Sequence, residues 1–355
     1  MLDGAAKIES LASEVARLGD GAIAMTDHGN VFGAFDFYKT MKAAGVKPII
    51  GIEAYIAPES RFEKRRVKWA DGGEDDVSAG GAYTHMTILA QDNSGLANLY
   101  RLSSLAYLEG FYYKPRMDRE ILAQHSTGLI ATTGCAGGEI QTRLRMGAYG
   151  EARAAAAIYR DIFGADNYFV EVMEHGIEIE KRVKDDLLKL AKDLGLPLLA
   201  TNDLHYTYPD DARHHAALLC VQSNSTLQDP KRFKFDSEQY FLKDAATMRS
   251  LFKDLEIACD NTLLVAERCN VTLRENENLL PKFPVPTGES EDSWLVKESN
   301  RGLSALFPRG IPDGYQERLD FELDVMTKMG FAGYFLVVAD LVAHAKKEGI
   351  RVGPG

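Results

Sequence analysis

The chain has 355 residues, 45% of them apolar and 26% charged, a balance typical of globular proteins and a length sufficient for one large domain plus part of another. Its formal net charge of −11 argues against a simple electrostatic DNA binder with a basic face, although metal ions held in a site would still meet phosphate. No apolar run approaches the roughly 18 to 20 residues of a membrane span, the N-terminus lacks a signal-peptide pattern, and Cys135, Cys220, Cys259 and Cys269 are too scattered for a disulfide framework. The expected setting is the reducing cytoplasm.

Ile8, Leu11, Val15 and Leu18 recur at helical spacing and lead into a strand over Ala22 to Met25. A second helix, Val31 to Ala44, precedes the strand-like run Pro48 to Glu53. Glu59 to Gly81 is charged and Gly-rich, so an exposed, mobile loop is expected there. Its Lys64, Arg65, Arg66 and Lys68 suit a phosphate backbone, though a solvated loop is the plainer expectation. Further strands are predicted at Thr84 to Ala90, Leu129 to Thr133, Tyr168 to Met173 and Leu198 to Thr201, with a long amphipathic helix over Ile179 to Leu194 closed by Gly195 and Pro197. The alternation predicts a mostly parallel α/β barrel or doubly wound sheet, in which sites gather at the C-terminal ends of the strands.

Arg274 to Trp294, with Pro281, Pro284, Pro286 and an acidic run, reads as a linker, and helical segments including Gly333 to Glu348 follow it. The expected division is therefore a first domain over 1–272, a linker over 273–295 and an incomplete second domain over 296–355. A chain stopping at Gly353-Pro-Gly355, directly after a helix, is expected to end inside that second domain.

Asp203 and His205 are the most informative residues. An apolar run ending in Asp-x-His places both side chains on one face of a strand, as a pair of metal ligands. His28 and Glu53 end two other strand-like runs in the same way, and His85, Cys135 and Asp3 extend the candidate set. Imidazole, carboxylate and thiolate together suit Zn²⁺, or Mn²⁺ and Fe where oxygen dominates. More than four such donors imply several ions, and ions about 3.5 to 4 Å apart can clamp a phosphate ester. Each residue also has a plainer reading: His85 as a core histidine, Cys135 as a small buried residue in a turn, and Asp3 as a helix N-cap. His175 follows a strand and suits either support of the site or contact with substrate, while His214 and His215 sit in a helix and face outward or pack. Lys114 and Arg116, beside Tyr112 and Tyr113, suit phosphate contact and base stacking.

The strings Met1-Leu-Asp-Gly-Ala-Ala-Lys7, Ala24-Met-Thr-Asp-His-Gly29, Gly51-Ile-Glu-Ala-Tyr55, Gly110-Phe-Tyr-Tyr-Lys-Pro-Arg116, Thr201-Asn-Asp-Leu-His-Tyr206, Gly333-Tyr-Phe-Leu-Val-Val-Ala-Asp340 and Val352-Gly-Pro-Gly355 span essentially the whole chain. On them it resembles the N-terminal part of the alpha subunits of bacterial replicative DNA polymerase III. The resemblance implies a PHP domain, a distorted (β/α)7 barrel, followed by the beginning of a polymerase palm. It also implies a trinuclear Zn²⁺ or Mn²⁺ cluster on Asp3, His28, Glu53, His85, Cys135, Asp203 and His205.

In that implied cluster Asp203 and His205 anchor the ions, Glu53 bridges them, and metal-activated water attacks the phosphodiester at a DNA 3′ end in 3′→5′ proofreading. The family's upstream His-x-His strand precedes the Leu-Asp-Gly seen here, so the barrel is expected to lack its first strand and two histidine ligands. For the whole protein the resemblance implies template-directed DNA synthesis with Mg²⁺ in the palm, on a DNA primer-template. It likewise implies the sliding clamp and clamp-loader subunits as partners. Two other readings stand beside this one: a stand-alone PHP phosphoesterase acting on a small monoester, and a metal-free barrel that docks a separate proofreading subunit.

Overall fold

A computed structural model describes residues 3–67, 69, 78–275 and 279–353. It divides into two compact units, Met1–Leu273 and Arg274–Gly355. The first unit is built on seven strands: β1 Ala22–Met25, β2 Lys47–Ile56, β3 Thr84–Ala90, β4 Arg116–Met117, β5 Leu129–Thr132, β6 Tyr168–Val172 and β7 Leu198–Ala200. Their order is β1-β2-β3-β5-β6-β7, with β4 beside β2, in a mixed α/β sheet curled into a half-barrel.

The pairs β1 with β2, β2 with β4, β5 with β6 and β6 with β7 are parallel. β3 departs from the parallel expectation, running antiparallel to both β2 and β5. A parallel return needs a crossover, usually a helix, and the described part of residues 57–83 contains no α-helix. The reversal decides where His85 goes. As the second residue of β3 it lies at that strand's beginning, which the antiparallel pairing brings to the edge where β2 carries Glu53.

Register assigns the faces. Residues paired across strands share a side, so Ile50, Ile52, Ala54, Met86, Ile88, Ala131, Tyr168 and Val170 face outward, where they pack with helix residues such as Phe37, Leu99, Tyr159 and Leu187. The opposite, inner face is layered. At its base Ile49, Leu89, Ile130, Phe169 and Leu199 form an apolar plug. One step along each strand come Gly51, Thr87, Thr132, Glu171 and Thr201, and another step brings Glu53, His85 and Asp203. Strand alternation thus carries β2 and β3 from plug through a polar layer to Glu53 and His85, whereas Asp203 reaches the same edge from the non-strand segment after β7.

The predicted strands all form, within a residue at their ends except that β2 runs three residues past the expected Glu53, to Ile56. The second helix is shorter than expected, Ala34–Ala43, and leaves Val31 and Phe32 in the turn before it. Arg61 departs from the exposed-loop expectation. It is buried because its guanidinium meets Glu109, Asp118 and Glu120 at 2.7, 3.1 and 2.9 Å. Lys64, Arg65 and Arg66 are exposed, and Lys68 lies outside the described residues.

In the second unit, helices Glu291–Leu306, Tyr315–Lys328 and Ala332–Lys347 pack around Leu295, Leu323, Ala332 and Leu336. The helix expected over Gly333 to Glu348 is the last of these. Among the described residues no single helix is long and apolar enough to cross a membrane.

Gly51 marks the tightest point of the inner face. A Cβ there would lie 2.6 Å from Leu89 Cδ2, 2.7 Å from the Ile88 carbonyl oxygen and 3.1 Å from Thr26 Cγ2. Because one of those neighbours is backbone, Gly51→Ala is expected to lower stability by about 1–3 kcal/mol, read as a reduced urea midpoint with an unchanged m-value.

Candidate metal centre

The inner face delivers its polar side chains to one edge. Glu53 Oε1 lies 2.8 Å from His85 Nδ1, and the Cys135 thiol donates to the same oxygen at 3.4 Å. Cys135 Sγ is also 3.6 Å from His85 Nδ1. A bridge pairing continues β1 past its end and sets His28 beside Glu53, with His28 Nδ1 at 3.6 Å from Glu53 Oε2. The other ring nitrogen, Nε2, faces Asp3 Oδ2 at 3.3 Å. Asp3 Oδ2 in turn lies 3.9 Å from His205 Nε2, and His205 Nδ1 lies 3.7 Å from Asp203 Oδ1. The seven side chains predicted to converge therefore form one continuous set of near contacts, although they come from segments two hundred residues apart.

Two groups within this set each bring together one donor atom per residue within 4.8 Å of one another: Asp3, His28 and His205, and His28, Glu53 and His85. The chemistry of both is that of a site for a borderline divalent ion, mixing imidazole with carboxylate and adding a thiol beside the second. A further observation fits a cation there. His28 Nδ1 is buried and makes no hydrogen bond, a costly state for a nitrogen in a folded protein and the natural state of one that waits for a ligand. Asp203 adopts φ +44°, a left-handed conformation that non-glycine residues rarely hold and that is typical of functional positions.

The electrostatics follow from crowding carboxylates out of water. Burial alone would lower the His28 imidazole, but the Glu53, Asp3 and Asp203 carboxylates around it raise it to about 9. Burial opposes ionisation of Asp3, and its contact with His28 overcomes that, holding the carboxyl well below its usual range. Glu53 is likewise drawn down against burial by His28 and His85. Cys135 goes the other way: burial, then Glu53 and Asp203, push its thiol well above the usual value. Without metal, the His28 proton thus stands in for the missing cation.

Glu171 is a residue that sequence reading missed. It lies in the layer beneath the ligands and is fully buried, where Thr201 Oγ1 donates to Oε1 at 2.7 Å and Thr132 and Thr87 hydroxyls approach Oε2. Burial, against the pull of those hydroxyls, lifts its carboxyl to about 7, and Asp203 and Glu53 add to the rise. A lone charged residue inside the apolar run Tyr168–Val172 was the signal available in the sequence, though it does not reveal the threonine partners on other segments. His215 is also buried, bonded to the Asp3 carbonyl oxygen at 2.5 Å and packed against His205.

Two predicted nucleic-acid contacts are corrected. Arg116 is fully buried, and its guanidinium donates to the carbonyl oxygens of Gly110, Ala82, Arg61 and Glu63 at 2.9 to 3.2 Å, which commits it to holding loops rather than phosphate. His175 is buried beneath a stacked Tyr240, with Nδ1 at 2.6 Å from Glu180 Oε1 and Nε2 at 2.7 Å from the Asn202 carbonyl. It braces the residue before the strained Asp203 and has no face open to a strand. Lys114, by contrast, is half-buried with Nζ 5.5 Å over the Tyr55 ring, beside the site.

The family model described as PHP domain matches residues 1–175, and that described as bacterial DNA polymerase III alpha NTPase domain matches residues 293–355. DNA polymerase III subunit alpha of Mycobacterium tuberculosis is 54% identical over 361 aligned residues, which cover all of this chain and 30% of that protein. The corresponding subunit of Treponema pallidum is 41% identical, with 100% and 30% covered, and that of Thermus aquaticus 38%, with 100% and 33% covered. The chain therefore spans about a third of the length of the curated relatives it matches.

Two outcomes test this geometry. His28 is charged in the folded state up to about pH 9, whereas an unfolded histidine loses its proton near 6.5. Its stabilisation is complete below about pH 6.5 and lost as pH rises through 9, so the stability gap between the metal-free chain and His28→Gln should shrink by about 1–2 kcal/mol from pH 7.5 to 9.5 in urea titrations. Arg116→Met, which strands several carbonyls, should cost roughly 3 kcal/mol and lower the melting temperature by circular dichroism.

Proposed function

We propose, from its similarity to the PHP-domain alpha subunits of bacterial DNA polymerase III, that the first unit of this chain is a metal-dependent 3′→5′ exonuclease that edits newly made DNA. The observation that carries this reading is the complete convergence of Asp3, His28, Glu53, His85, Cys135, Asp203 and His205 at one edge of the sheet. A barrel kept only as a scaffold has no need to crowd that many buried and half-buried donors, whose carboxylates oppose one another without a cation. Template-directed synthesis with Mg²⁺, on a primer-template held by clamp and clamp-loader partners, is proposed for the whole protein by the same kinship.

Divalent ions bound here, Zn²⁺ or Mn²⁺ by the donor chemistry, would neutralise charge developing on the phosphate and make water nucleophilic near neutral pH. Asp3, His28 and His205, or His28, Glu53 and His85, would each hold an ion; once His28 has lost one proton it has a single lone pair and would serve one of the two, while Cys135 and Asp203 would add further donors beside them. Glu53 presents one oxygen toward His28 and the other toward His85 and Cys135, so its carboxylate lies between the positions. Asp203 and His205 supply donors from the segment after β7, with Asp203 held in its unusual backbone conformation next to the His175 brace.

The chain's own residues also govern protons. His28 must give up the proton it holds between Asp3 and Glu53, and Cys135 must lose its thiol proton, before either can ligate. Loading is therefore expected to release protons to solvent and to weaken as pH falls. Glu171, lifted toward neutrality by burial, adds little charge beneath the cluster around pH 7 and below. Lys114 is placed to meet a phosphate at the rim.

The test is hydrolysis of a primer carrying a 3′-terminal mismatch, with Mn²⁺ or Zn²⁺ supplied. Release of mononucleotides from the 3′ end is expected, abolished by chelator and reduced at least a hundredfold by Asp203→Asn. Hydrolysis that survives Asp203→Asn unchanged, or that proceeds on a small phosphate monoester but not on DNA, would defeat the assignment.

A further inference from the structure

A row of exposed aromatic rings leads to the metal centre. Phe32, four residues after His28, is 79% exposed, and its ring centroid lies 6.1 Å from that of Tyr107 near the end of helix Asn93–Leu108. Tyr107 stands 6.3 Å from Phe111, and the two are 40% and 50% exposed. The row runs beside the site through Tyr55, whose strand pairs at that residue with Arg116, five residues after Phe111. Tyr55 stacks on His28 at 5.8 Å and meets His85 edge-on at 5.3 Å. Anything lying along Phe111, Phe32 and Tyr107 is therefore led to the ligand histidines.

Cations accompany the rings. Lys114 Nζ lies 5.5 Å over Tyr55, Lys39 Nζ 5.3 Å over Phe35, and the Arg66 guanidinium 5.5 Å over Tyr113. Of the three, Lys114 is the one over a ring that itself stacks on a ligand histidine; the rings under Lys39 and Arg66 are not those of the row. Large aromatic rings left in water beside a polar site mark a binding surface. Protein interfaces also favour aromatics, but they are depleted in lysine, whereas a single nucleic-acid strand needs both features: π-faces for its bases and cations for its phosphates.

We propose that Phe32, Tyr107 and Phe111 form the platform on which unpaired bases at the 3′ end of a DNA strand stack, with Lys114 meeting the phosphate nearest the metal centre. The platform selects frayed over paired ends, because only unpaired bases can lie flat on the rings. This rests on the DNA-hydrolase reading, which is tested separately by hydrolysis.

The probe is a fluorescein-labelled deoxythymidine decamer titrated with the 355-residue chain in chelator, so that binding is read by anisotropy without cleavage. Phe32→Ala/Tyr107→Ala/Phe111→Ala should bind at least tenfold more weakly, and Phe111→Ala alone several-fold, with melting temperatures unchanged because the rings are exposed. Ile257→Ala, an exposed apolar change on another helix, should bind as the parent does. Equal affinity of the triple variant and the parent would overturn the platform, even with exonuclease activity intact. So would absence of decamer binding by the parent, or a triple variant that alters only the oligomeric state in gel filtration. Loss of decamer binding by the triple variant would support the platform even if no hydrolysis were found.

Discussion

Four carboxyl groups, those of Asp3, Glu53, Asp203 and Glu171, are drawn into one small region of low dielectric, and the rest of the site is arranged around that repulsion. Each escapes in a different way. Asp3 and Glu53 stay ionised by sharing the proton held on His28, whereas Glu171 retreats toward its neutral form under a cover of threonine hydroxyls. Asp203 is raised by burial and by Glu53, and lowered by its neighbour His205. Such an arrangement is poorly compensated in the absence of cations and well compensated in their presence, which is why the donor set and its electrostatics point to the same chemistry.

The sheet makes this convergence geometrically cheap. Inner-face positions two residues apart on each strand fall into successive layers, so an apolar plug at the base sets the height at which Glu53 and His85 emerge, as it sets that of the Asp203 segment after β7. The plug stabilises by excluding water, the threonine and Glu171 layer satisfies polar groups between plug and site, and only the last layer is left to bind. Buried groups such as Arg116 and His175 belong to this scaffold. Their hydrogen bonds are all made within the protein, and they fix loops and strand ends that carry the ligands.

Much of this was legible in the residues. Short apolar runs located the strands Ala22–Met25, Thr84–Ala90 and Leu198–Ala200, because strands covered on both faces read as nearly continuous apolar segments. Asp203-x-His205 was found as a donor pair but not in the form expected: β7 ends at Ala200, and the pair meets in an irregular segment with Asp203 left-handed, where the period of two no longer applies. Arg116 misled, because residue type and a neighbouring aromatic carry no information about which way a side chain turns, and of the two roles open to His175 burial selected support of the site. Glu171 went unseen because its partners, Thr87, Thr132 and Thr201, come from three other segments of the chain.

The sequence by itself determined the local elements and the chemical character of each donor, since these depend on spacing along one strand and on the side chain's own functional group. Only the tertiary structure decided that β3 runs backward and so brings His85 to Glu53, that Asp3 spans from His28 to His205, and that Arg116 is spent on backbone carbonyls. Those outcomes depend on strand direction, register and burial. They are set by contacts between residues tens to hundreds of positions apart, where the driving force is removal of apolar surface from water and no local pattern records the result.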